Sequence, residues 1–280
     1  MSITIRQAFE TDIETCAESM YIAFTTVDQK HGFPSYFTDR NHAIQATQNL
    51  LTNPHIYSIV AIENNRVIAS AFMNEKRPIR SIGPVSVHPH FQGHGIGRKL
   101  MEHLLKRAQD APSIRLTQDA FNTTSLSLYT SLGFALVESL VWIEGKFKNT
   151  PHNNTQIVSL DKSNYDDCLT LCNQVLGFYR GPDTFTEVYG LFQNNQLSAY
   201  TTGLSTDGYT LAQTEDDLRT LILGMAAQQP GTLSFLLPTR HTAFLLWCLS
   251  SGLKIKKPLN LMAKGHYQQP KGLYFPNLLY

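Results

Sequence analysis

Six residues near position 90 have types and spacing that suit phosphate binding, metal binding or a tight turn. They are Gly93, Gly95 and Gly97, with His88, His90 and His94, in the segment SVHPHFQGHGIGRKL. A glycine-rich loop leading into a helix can bind an anion, because the first helical N–H groups lack backbone acceptors and glycine lets phosphate approach closely. The segment has neither the Lys-Ser/Thr ending of a Walker loop nor the GxGxxG spacing of a dinucleotide site. The residues alone leave phosphate binding and a simple turn open.

The three histidines are also candidate metal ligands. His88 and His90 would lie on one side of an extended strand, with His94 close in sequence. No Cys, Asp or Glu accompanies them, and the four cysteines of the chain are scattered. We therefore predict no metal site, and we expect buried thiols in a reducing cytoplasm.

The glycines lie between a predicted strand and a predicted helix. Ile96, Leu100 and Leu104 recur every four residues, which predicts an amphipathic helix. The preceding IRSIGPVSV predicts a strand with a local break at Gly83-Pro84. The first half as a whole predicts the order β-α-α-β-β-β-α-β-α-β, with a hairpin turned by Asn64-Asn65.

Two motifs in this half resemble one protein family. VSVHPHFQGHGIGRKLM resembles the acyl-CoA-binding signature of the GNAT acetyltransferase superfamily, Gln/Arg-x-x-Gly-x-Gly/Ala after an apolar strand, with Gln92, Gly95 and Gly97 on the pattern. NTTSLSLYTSLGF resembles the family's Asn-x-x-Ala-x-x-x-Tyr-x-x-x-Gly-Phe pattern, with Ser125 where alanine is commoner. The predicted order of elements is also that of the family. The resemblance covers about residues 3 to 145 and is faint beyond them.

The resemblance implies that acetyl-CoA is the cosubstrate. It places the pyrophosphate on the amides from Gln92 to Arg98 and the pantetheine beside Val85 to Val87, like an added strand. It also implies that the Val87 N–H polarises the thioester carbonyl. The binding residues that it implies are Val85, Ser86, Val87, Gln92, Gly93, His94, Gly95, Ile96, Gly97, Arg98, Asn122, Ser125 and Tyr129.

Tyr129 is the candidate general acid for the departing thiolate. Asn122 and Tyr129 are seven residues apart, about two helical turns, so both lie on one helix face. The alternative is a core aromatic whose hydroxyl finds a backbone acceptor. The general base stays open among Glu75, His31, His88 and a water chain.

The acceptor is expected to be the amine of a small molecule or a peptide. In the family that the motifs resemble, the segment VDQKHGFPSYFTDR would cover it. His31, Phe33 and Tyr36 are the candidate substrate residues in this segment, with Glu75 on a predicted strand end. A small apolar core beneath a loop is the alternative for these aromatics.

The second half predicts a similar but degenerate unit without a glycine loop. It begins after a polar linker at residues 146–155 and contains a segment expected to be irregular, Gly177–Phe192. HTAFLLWCLSSGL pairs without a gap with NTTSLSLYTSLGF, so that Cys248 takes the place of Tyr129 and His241 that of Asn122. Tyr179, Arg180 and the tail GLYFPNLLY are candidates to wall the acceptor cleft, although packing of the tail on its own sheet is favoured.

We therefore expect an α/β (α+β) protein of two GNAT-like domains, each with a mixed, mostly antiparallel sheet flanked by helices. Residues 1–148 would bind acetyl-CoA, and residues 149–280 would form the shorter, degenerate domain. The net charge of +1 gives no reason to expect nucleic acid. No run approaches the ~20 apolar residues of a membrane span, and no signal core follows Met1. We expect a monomer or homodimer in the cytoplasm.

The function predicted is N-acetyl transfer from acetyl-CoA to an amine, directly within a ternary complex. The alternative is a non-catalytic acetyl-CoA-binding sensor or interaction module. Retention of Tyr129 and Asn122 favours the enzyme.

Overall fold

The computed structural model describes residues 3–148, 157–178, 180–184, 186–228 and 231–280. The predicted linker at residues 146–155 falls mostly outside these ranges, as does Tyr179. The chain divides into two compact units, and they are not contiguous in sequence. The first comprises the chain up to Val137 with 261–266 and Leu279, and the second comprises Glu138–Asn260, Tyr267–Leu278 and Tyr280.

The elements of the first unit follow the predicted order. Its strands are β1 (Thr4–Gln7), β2 (Ile56–Glu63), β3 (Arg66–Asn74), β4 (Arg80–Val87) and β5 (Ser113–Asp119), and its helices are α1 (Ile13–His31), α2 (Arg40–Thr52), α3 (Ile96–Arg107) and α4 (Thr123–Ser131). The strands from β1 to β5 lie side by side in chain order, antiparallel up to β4 and parallel between β4 and β5. A parallel pair needs a crossover connection, which α3 supplies. The helix buries Ile96, Leu100 and Leu104, as their spacing predicts.

The expected break at Gly83-Pro84 is a bulge in β4. Ala71 of β3 lies opposite Val85, and Met73 lies opposite Ile82. Gly83 and Pro84 together therefore face a single residue of β3. Such a bulge bends its strand and increases the local twist, so the last residues of β4 turn away from the course of its first residues.

The second unit contains the remaining elements of the chain. They are the strands β6 (Ala135–Gly145), β7 (Val158–Ser159), β8 (Tyr189–Gln193), β9 (Gln196–Thr201), β10 (Thr210–Ala212), β11 (Leu233–Pro238), β12 (Lys254–Gly265) and β13 (Leu273–Phe275), with the helices α5 (Tyr165–Leu176), α6 (Glu215–Gln228) and α7 (Thr242–Ser250). β6 begins in the first unit, and β12 ends there. One sheet has the order β13-β10-β9-β8-β7 with antiparallel neighbours, and β6 pairs with β11.

One prediction for this unit was wrong. The segment Gly177–Phe192 was expected to be irregular, but β8 starts at Tyr189 and forms a hairpin with β9. The strand has five residues and includes Gly190, so its own propensity for extended structure is weak. Its pairing with β9 stabilises the strand, and a short window of sequence does not contain that pairing.

Each of the two units contains a hairpin, and the two hairpins are built in the same way. Asn64-Asn65 and Asn194-Asn195 turn them, and all four residues have positive φ, from 49° to 60°. The register shifts between Ala61 and Ile62 in the first hairpin and between Leu191 and Phe192 in the second. Each shift thus lies at the same distance before its Asn-Asn turn. Two left-handed turn residues match the twist of the flanking strands, which is why asparagine suits both positions.

The gap-free pairing of the helix motifs is also confirmed. The helices α4 and α7 each have nine residues and directly follow Asn122 and His241. Each ends before a glycine with positive φ, 88° at Gly133 and 107° at Gly252. The second unit therefore repeats the fold of the first in a reduced form. Among the described residues, no helix combines the length and apolar character needed to cross a bilayer.

Candidate active site

The end of β4 directs backbone groups away from β3. The His88 N–H donates to the Ile68 carbonyl of the β3 strand over 2.8 Å. Because successive residues of a strand point their backbone groups to opposite sides, those of Val85 and Val87 face the other way, toward the β5 side. In the described part of the sheet, β5 pairs with β4 only before the bulge, at Arg80–Ser81. The N–H groups of Val85 and Val87 therefore lie on an edge that an extended ligand can join.

Gln92 fixes the glycine loop to this edge. Its side-chain Nε2 donates to the main-chain carbonyl of Val87 over 3.0 Å. The Val87 carbonyl therefore already accepts a hydrogen bond from within the protein. The N–H of Val87 points to the same side of β4 and can donate to a ligand. The structure thus gives the Gln92 side chain a positioning role.

The loop depends on two glycines for its backbone conformation. Gly93 and Gly95 have φ values of 80° and 75°, and an added Cβ at either position would meet no atom within 4 Å. Glycine is therefore favoured at these positions because the backbone is left-handed there, and not because a side chain would lack space. Gly95 is also the N-terminal cap of α3 and has no side chain to satisfy the helix.

The N-terminus of α3 has backbone N–H groups that are not used within the helix. The Lys99 N–H makes an intrahelical hydrogen bond to the Gly95 carbonyl over 3.1 Å. The preceding N–H groups of Ile96, Gly97 and Arg98 have no acceptor within the helix. No acidic residue lies in the first turn of this twelve-residue helix, so the positive end of its dipole is available to a phosphate.

β4, α3 and α4 meet beside this N-terminus. A Cβ at Gly97 would lie 3.5 Å from Cδ2 of Leu128 in α4 and 3.6 Å from Cγ2 of Val87. Arg98 Nη2 donates to Ser131 Oγ over 2.6 Å. The structure thus brings together the strand, the loop and the helix from which the binding and catalytic residues were predicted.

Tyr129 is buried on α4, with 8% of its surface exposed. Its ring lies 6.1 Å from that of Phe134, so it also serves as a core aromatic. Burial, and after it the charge of Asp119, raises the pKa of the Tyr129 phenol above its ordinary value. The phenol is protonated at neutral pH with or without this shift, so it carries a proton that a general acid could donate.

Asn122 and Ser125 hold the start of α4. Asn122 Oδ1 accepts from the Ser125 N–H over 3.2 Å, and Ser125 Oγ donates to the Asn122 carbonyl over 3.0 Å. Gln118 Nε2 from β5 donates to Ser125 Oγ over 3.0 Å. These contacts fix the helix that carries Tyr129. The sequence analysis did not predict a role for Gln118. The one feature that could have indicated it is the position of Gln118 four residues before Asn122, the cap of α4.

The three histidines contact their own loop. His88 Nδ1 accepts from the His90 N–H over 3.4 Å, and the two rings are 5.1 Å apart. Burial, followed by the neighbouring His90, lowers the pKa of His88. His94 is exposed, with Nδ1 3.4 Å from the Phe91 carbonyl oxygen. Among the described residues, no group of three or more His, Cys, Asp or Glu is placed to hold a metal ion.

Three predicted acceptor residues meet at the carboxyl end of β5. Phe33 stacks on Phe121 with ring centroids 4.2 Å apart, and the His31 ring lies 5.1 Å from Phe121. The Tyr36 hydroxyl donates to Asp119 Oδ1 over 2.5 Å. Sequence reasoning missed Asp119 and Phe121. The signal for them was an acidic residue at the end of a predicted strand, followed shortly by an aromatic one.

Glu75 does not lie with the other predicted acceptor residues. Its carboxylate forms a bidentate ion pair with Arg107 at the end of α3, at 2.7 and 2.9 Å. Asn74, which precedes Glu75, lies opposite Ser81 near the start of β4. Val87 is six residues further along that strand, about 20 Å at the usual rise. Glu75 thus lies at the opposite end of the sheet from Val87.

Cys16 is the one cysteine among the described residues of the first unit. It is fully buried on α1 and hydrogen-bonded to Ser70, whose Oγ lies 2.8 Å from Ser86 Oγ of β4. Burial raises the pKa of the Cys16 thiol to about 11. The thiol is therefore neutral near pH 7 and a poor nucleophile.

The second unit lacks the phosphate loop at the corresponding place. Eight residues separate β4 from α3, whereas two separate β10 from α6. The first turn of α6 carries Glu215, Asp216 and Asp217. Three carboxylates at a helix N-terminus stabilise the helix through its dipole and repel phosphate. This terminus is therefore unsuited to a pyrophosphate.

The tail of the chain covers the edge of β10. Thr210 lies opposite Phe275, and Ala212 lies opposite Leu273, in an antiparallel pair of β10 with β13. The expectation that the tail packs on its own sheet is confirmed for Leu273–Phe275, whereas Leu279 belongs to the first unit. Arg180 is buried in the same unit, with its guanidinium carbon 4.7 Å from the centroid of the Tyr209 ring.

Comparisons with known proteins identify the family of the first unit. The acetyltransferase (GNAT) family model matches residues 18–134. The mycothiol acetyltransferase of Nocardiopsis dassonvillei is 33% identical over 86 residues, which cover 30% of this chain and 26% of that protein. The L-amino acid N-acyltransferase MnaT of Escherichia coli is 37% identical over 65 residues, 22% of this chain and 38% of that protein. The matched segments thus span well under half of either relative.

Solved structures share the fold over nearly the whole chain. A Pyrococcus horikoshii protein assigned to the acetyltransferases has a TM-score of 0.74 at 16% identity, over 97% of this chain and 94% of that chain. A tandem GNAT protein from the clavulanic acid biosynthesis pathway has a TM-score of 0.59 at 10% identity, over 94% and 98%. At these identities the likeness shows the fold alone. The family match identifies residues 18–134 as an acetyltransferase (GNAT) domain, and the chain as a whole has a fold like that of a tandem GNAT protein.

Proposed function

We propose that this chain transfers an acetyl group from acetyl-CoA to an amine, directly within a ternary complex. The observation that supports this best is the meeting of three features in the first unit. They are the backbone edge at Val85–Val87, the N-terminus of α3 and the protonated phenol of Tyr129. Each suits a different part of the predicted cosubstrate.

The residues of the loop and the strand would divide the binding of acetyl-CoA between them. The N–H groups of Ile96, Gly97 and Arg98 would hold the pyrophosphate. The edge of Val85 and Val87 would pair with the extended pantetheine. When bound, acetyl-CoA supplies an acetyl group activated as a thioester.

Two groups of this chain would act on the reacting atoms. The Val87 N–H donates to the carbonyl oxygen, where negative charge develops while the amine nitrogen forms its bond to carbon. Tyr129 gives its proton to the sulfur as the carbon–sulfur bond breaks. The amine loses a proton to a base or to water, which balances the transfer.

The cysteines support transfer without an acyl-enzyme. Burial raises the pKa of Cys16 to about 11 and those of Cys168 and Cys248 to about 12. Neutral, buried thiols are poor nucleophiles. Direct attack by the amine therefore fits the site better than a covalent intermediate on the chain.

The differences between the two units suggest a different function for each part of the chain. We assign acetyl-CoA binding to residues 1–148 and a degenerate GNAT-like role without a second cosubstrate to residues 149–280. The relative named as an L-amino acid N-acyltransferase supports an amine as the acceptor.

Release of thiol from acetyl-CoA in the presence of a panel of small amines and short peptides tests the proposal. Tyr129→Phe should lower kcat by about 100-fold or more, while the Kd for acetyl-CoA measured by calorimetry changes less than about twofold, because the hydroxyl acts on the leaving group. Tyr57→Phe is the matched control, because Tyr57 lies on β2 and its hydroxyl contacts His103. Unchanged turnover in Tyr129→Phe contradicts the role of the phenol. Binding of acetyl-CoA without turnover of any amine by the wild-type chain supports the sensor or interaction module instead.

A further inference from the structure

His31 lies beside the start of α4, the helix that carries Tyr129. It is the last residue of α1, and its ring lies 5.1 Å from that of Phe121. Phe121 directly precedes Asn122, the cap of α4. The fold thus brings an imidazole from α1 to the part of the first unit that holds the candidate general acid.

The turn after α1 fixes the place of this imidazole. Gly32 ends the helix with a φ of 73°, and the Phe33 N–H donates to the Asp28 carbonyl over 2.9 Å. A left-handed residue at this position turns the chain away from the helix axis. Phe33 then stacks on Phe121 with ring centroids 4.2 Å apart. His31 and Phe33, on either side of the turn, therefore contact the same aromatic residue.

A hydrogen bond determines which nitrogen of His31 carries the proton. Nδ1 lies 2.9 Å from the main-chain carbonyl oxygen of Val27. A carbonyl oxygen can only accept, so Nδ1 is the protonated nitrogen, and in the neutral ring Nε2 then has the lone pair. Among the residues that the structure describes, none forms a hydrogen bond with Nε2 of His31. Neutral His31 therefore presents a proton acceptor that the protein itself does not use.

The other two side chains considered as the base do not offer this. His88 Nδ1 accepts from the His90 N–H over 3.4 Å, so the lone pair of neutral His88 is directed to its own loop. Glu75 forms its bidentate ion pair with Arg107 at the opposite end of the sheet. Of the three side chains, His31 alone combines an unused lone pair with a position beside α4.

We propose that His31 is the general base of the transfer. This inference rests on the proposed function, since it names a further residue of the same reaction. Nε2 of His31 takes a proton from the amine nitrogen as that nitrogen bonds to the acetyl carbon, and Tyr129 gives a proton to the sulfur as the carbon–sulfur bond breaks. His31 then releases its proton to water and Tyr129 regains one. Imidazole suits this role because it exchanges a proton readily near neutral pH.

His31→Asn tests the assignment in the full chain. The Asn side-chain N–H can still donate to the Val27 carbonyl, but the side chain has no nitrogen that can take up a proton. With the amine of the panel that the wild-type chain acetylates fastest, kcat should fall about 100-fold or more, while the Kd for acetyl-CoA changes less than about twofold. Imidazole added to the solution should restore part of this turnover, because His31 is exposed. It should not restore turnover in Tyr129→Phe, which lacks the acid.

His103→Asn is the matched control. His103 is an exposed histidine of the same unit whose ring also stacks on an aromatic ring, that of Tyr57. Tyr57 contacts Arg107, the partner of Glu75, so this variant should keep the wild-type turnover. Full turnover in His31→Asn, or a loss that imidazole does not restore, would overturn the inference and leave the proposed function standing. A wild-type chain that acetylates no amine of the panel would overturn the proposed function, and the inference with it.

Discussion

The side-chain amide of Gln92 and the main-chain carbonyl of Val87 are joined by a hydrogen bond of 3.0 Å. The bond links the glycine loop, which would hold the pyrophosphate, to the strand edge that would hold the pantetheine. It also engages the Val87 carbonyl and leaves the N–H of the same residue as the donor toward a ligand. One side chain thus joins two adjoining parts of the candidate site, five positions apart in the chain.

Replacing Gln92 by Glu should weaken acetyl-CoA binding. The substitution removes the N–H donor at constant size and places a carboxylate next to the phosphate loop. Loss of a hydrogen bond of this kind costs about 1 kcal/mol, so the Kd for acetyl-CoA should rise at least about fivefold in calorimetry. Gln45→Glu is the control, because the side chain of Gln45 also donates one amide hydrogen bond, to the side-chain Oδ1 of Asn49 on α2. An equal, small effect of both substitutions would show that the Gln92 bond does not organise the site.

Gly95→Ala should lower the stability of the fold, whereas Gly97→Ala should not. Gly95 has a φ of 75°, so alanine there costs about 1 to 2 kcal/mol of backbone strain. Gly97 is inside α3, and an added Cβ would meet its neighbours at 3.5 and 3.6 Å, which is ordinary contact. Alanine at Gly97 should leave stability unchanged or raise it by about 0.5 to 1 kcal/mol. Urea unfolding measures both, and destabilisation of equal size would contradict the left-handed role of Gly95.

Cys16→Ser should retain acetyl transfer. The thiol is neutral near pH 7 because burial raises its pKa to about 11, and serine can keep a hydrogen bond to Ser70. Intact-mass measurement after incubation with acetyl-CoA should show no acetyl adduct on the wild-type chain. Cys248→Ser serves as the control in the second unit. An adduct that disappears in Cys16→Ser would mean that the reaction proceeds through an acyl-enzyme.

Each chain should bind one acetyl-CoA. In the second unit β13 pairs with the edge of β10, and the N-terminus of α6 carries Glu215, Asp216 and Asp217. Calorimetric titration should therefore give a stoichiometry of about one, and Gly95→Ala should weaken the observed binding because it alters the loop of the first unit. Two equivalent sites per chain would refute this division between the units.

The sequence was sufficient for the features that depend on near neighbours in the chain. The repeat of Ile96, Leu100 and Leu104 predicts the buried face of α3, and Asn64-Asn65 predicts a hairpin turn. The spacing of Asn122 and Tyr129 predicts one helix with its cap. Periodicity, capping and turn conformation act over a few residues, so a window of sequence contains most of their causes.

The tertiary structure alone decided which distant residues meet. Tyr36 contacts Asp119 across 83 positions of the chain, while Glu75, also a candidate for the site, pairs with Arg107 at the opposite end of the sheet. Likewise, β8 was not predicted because β9 stabilises it through pairing. Such contacts follow from strand order, register and the bulge in β4, which reflect the packing of the whole unit and are set by no single stretch of residues.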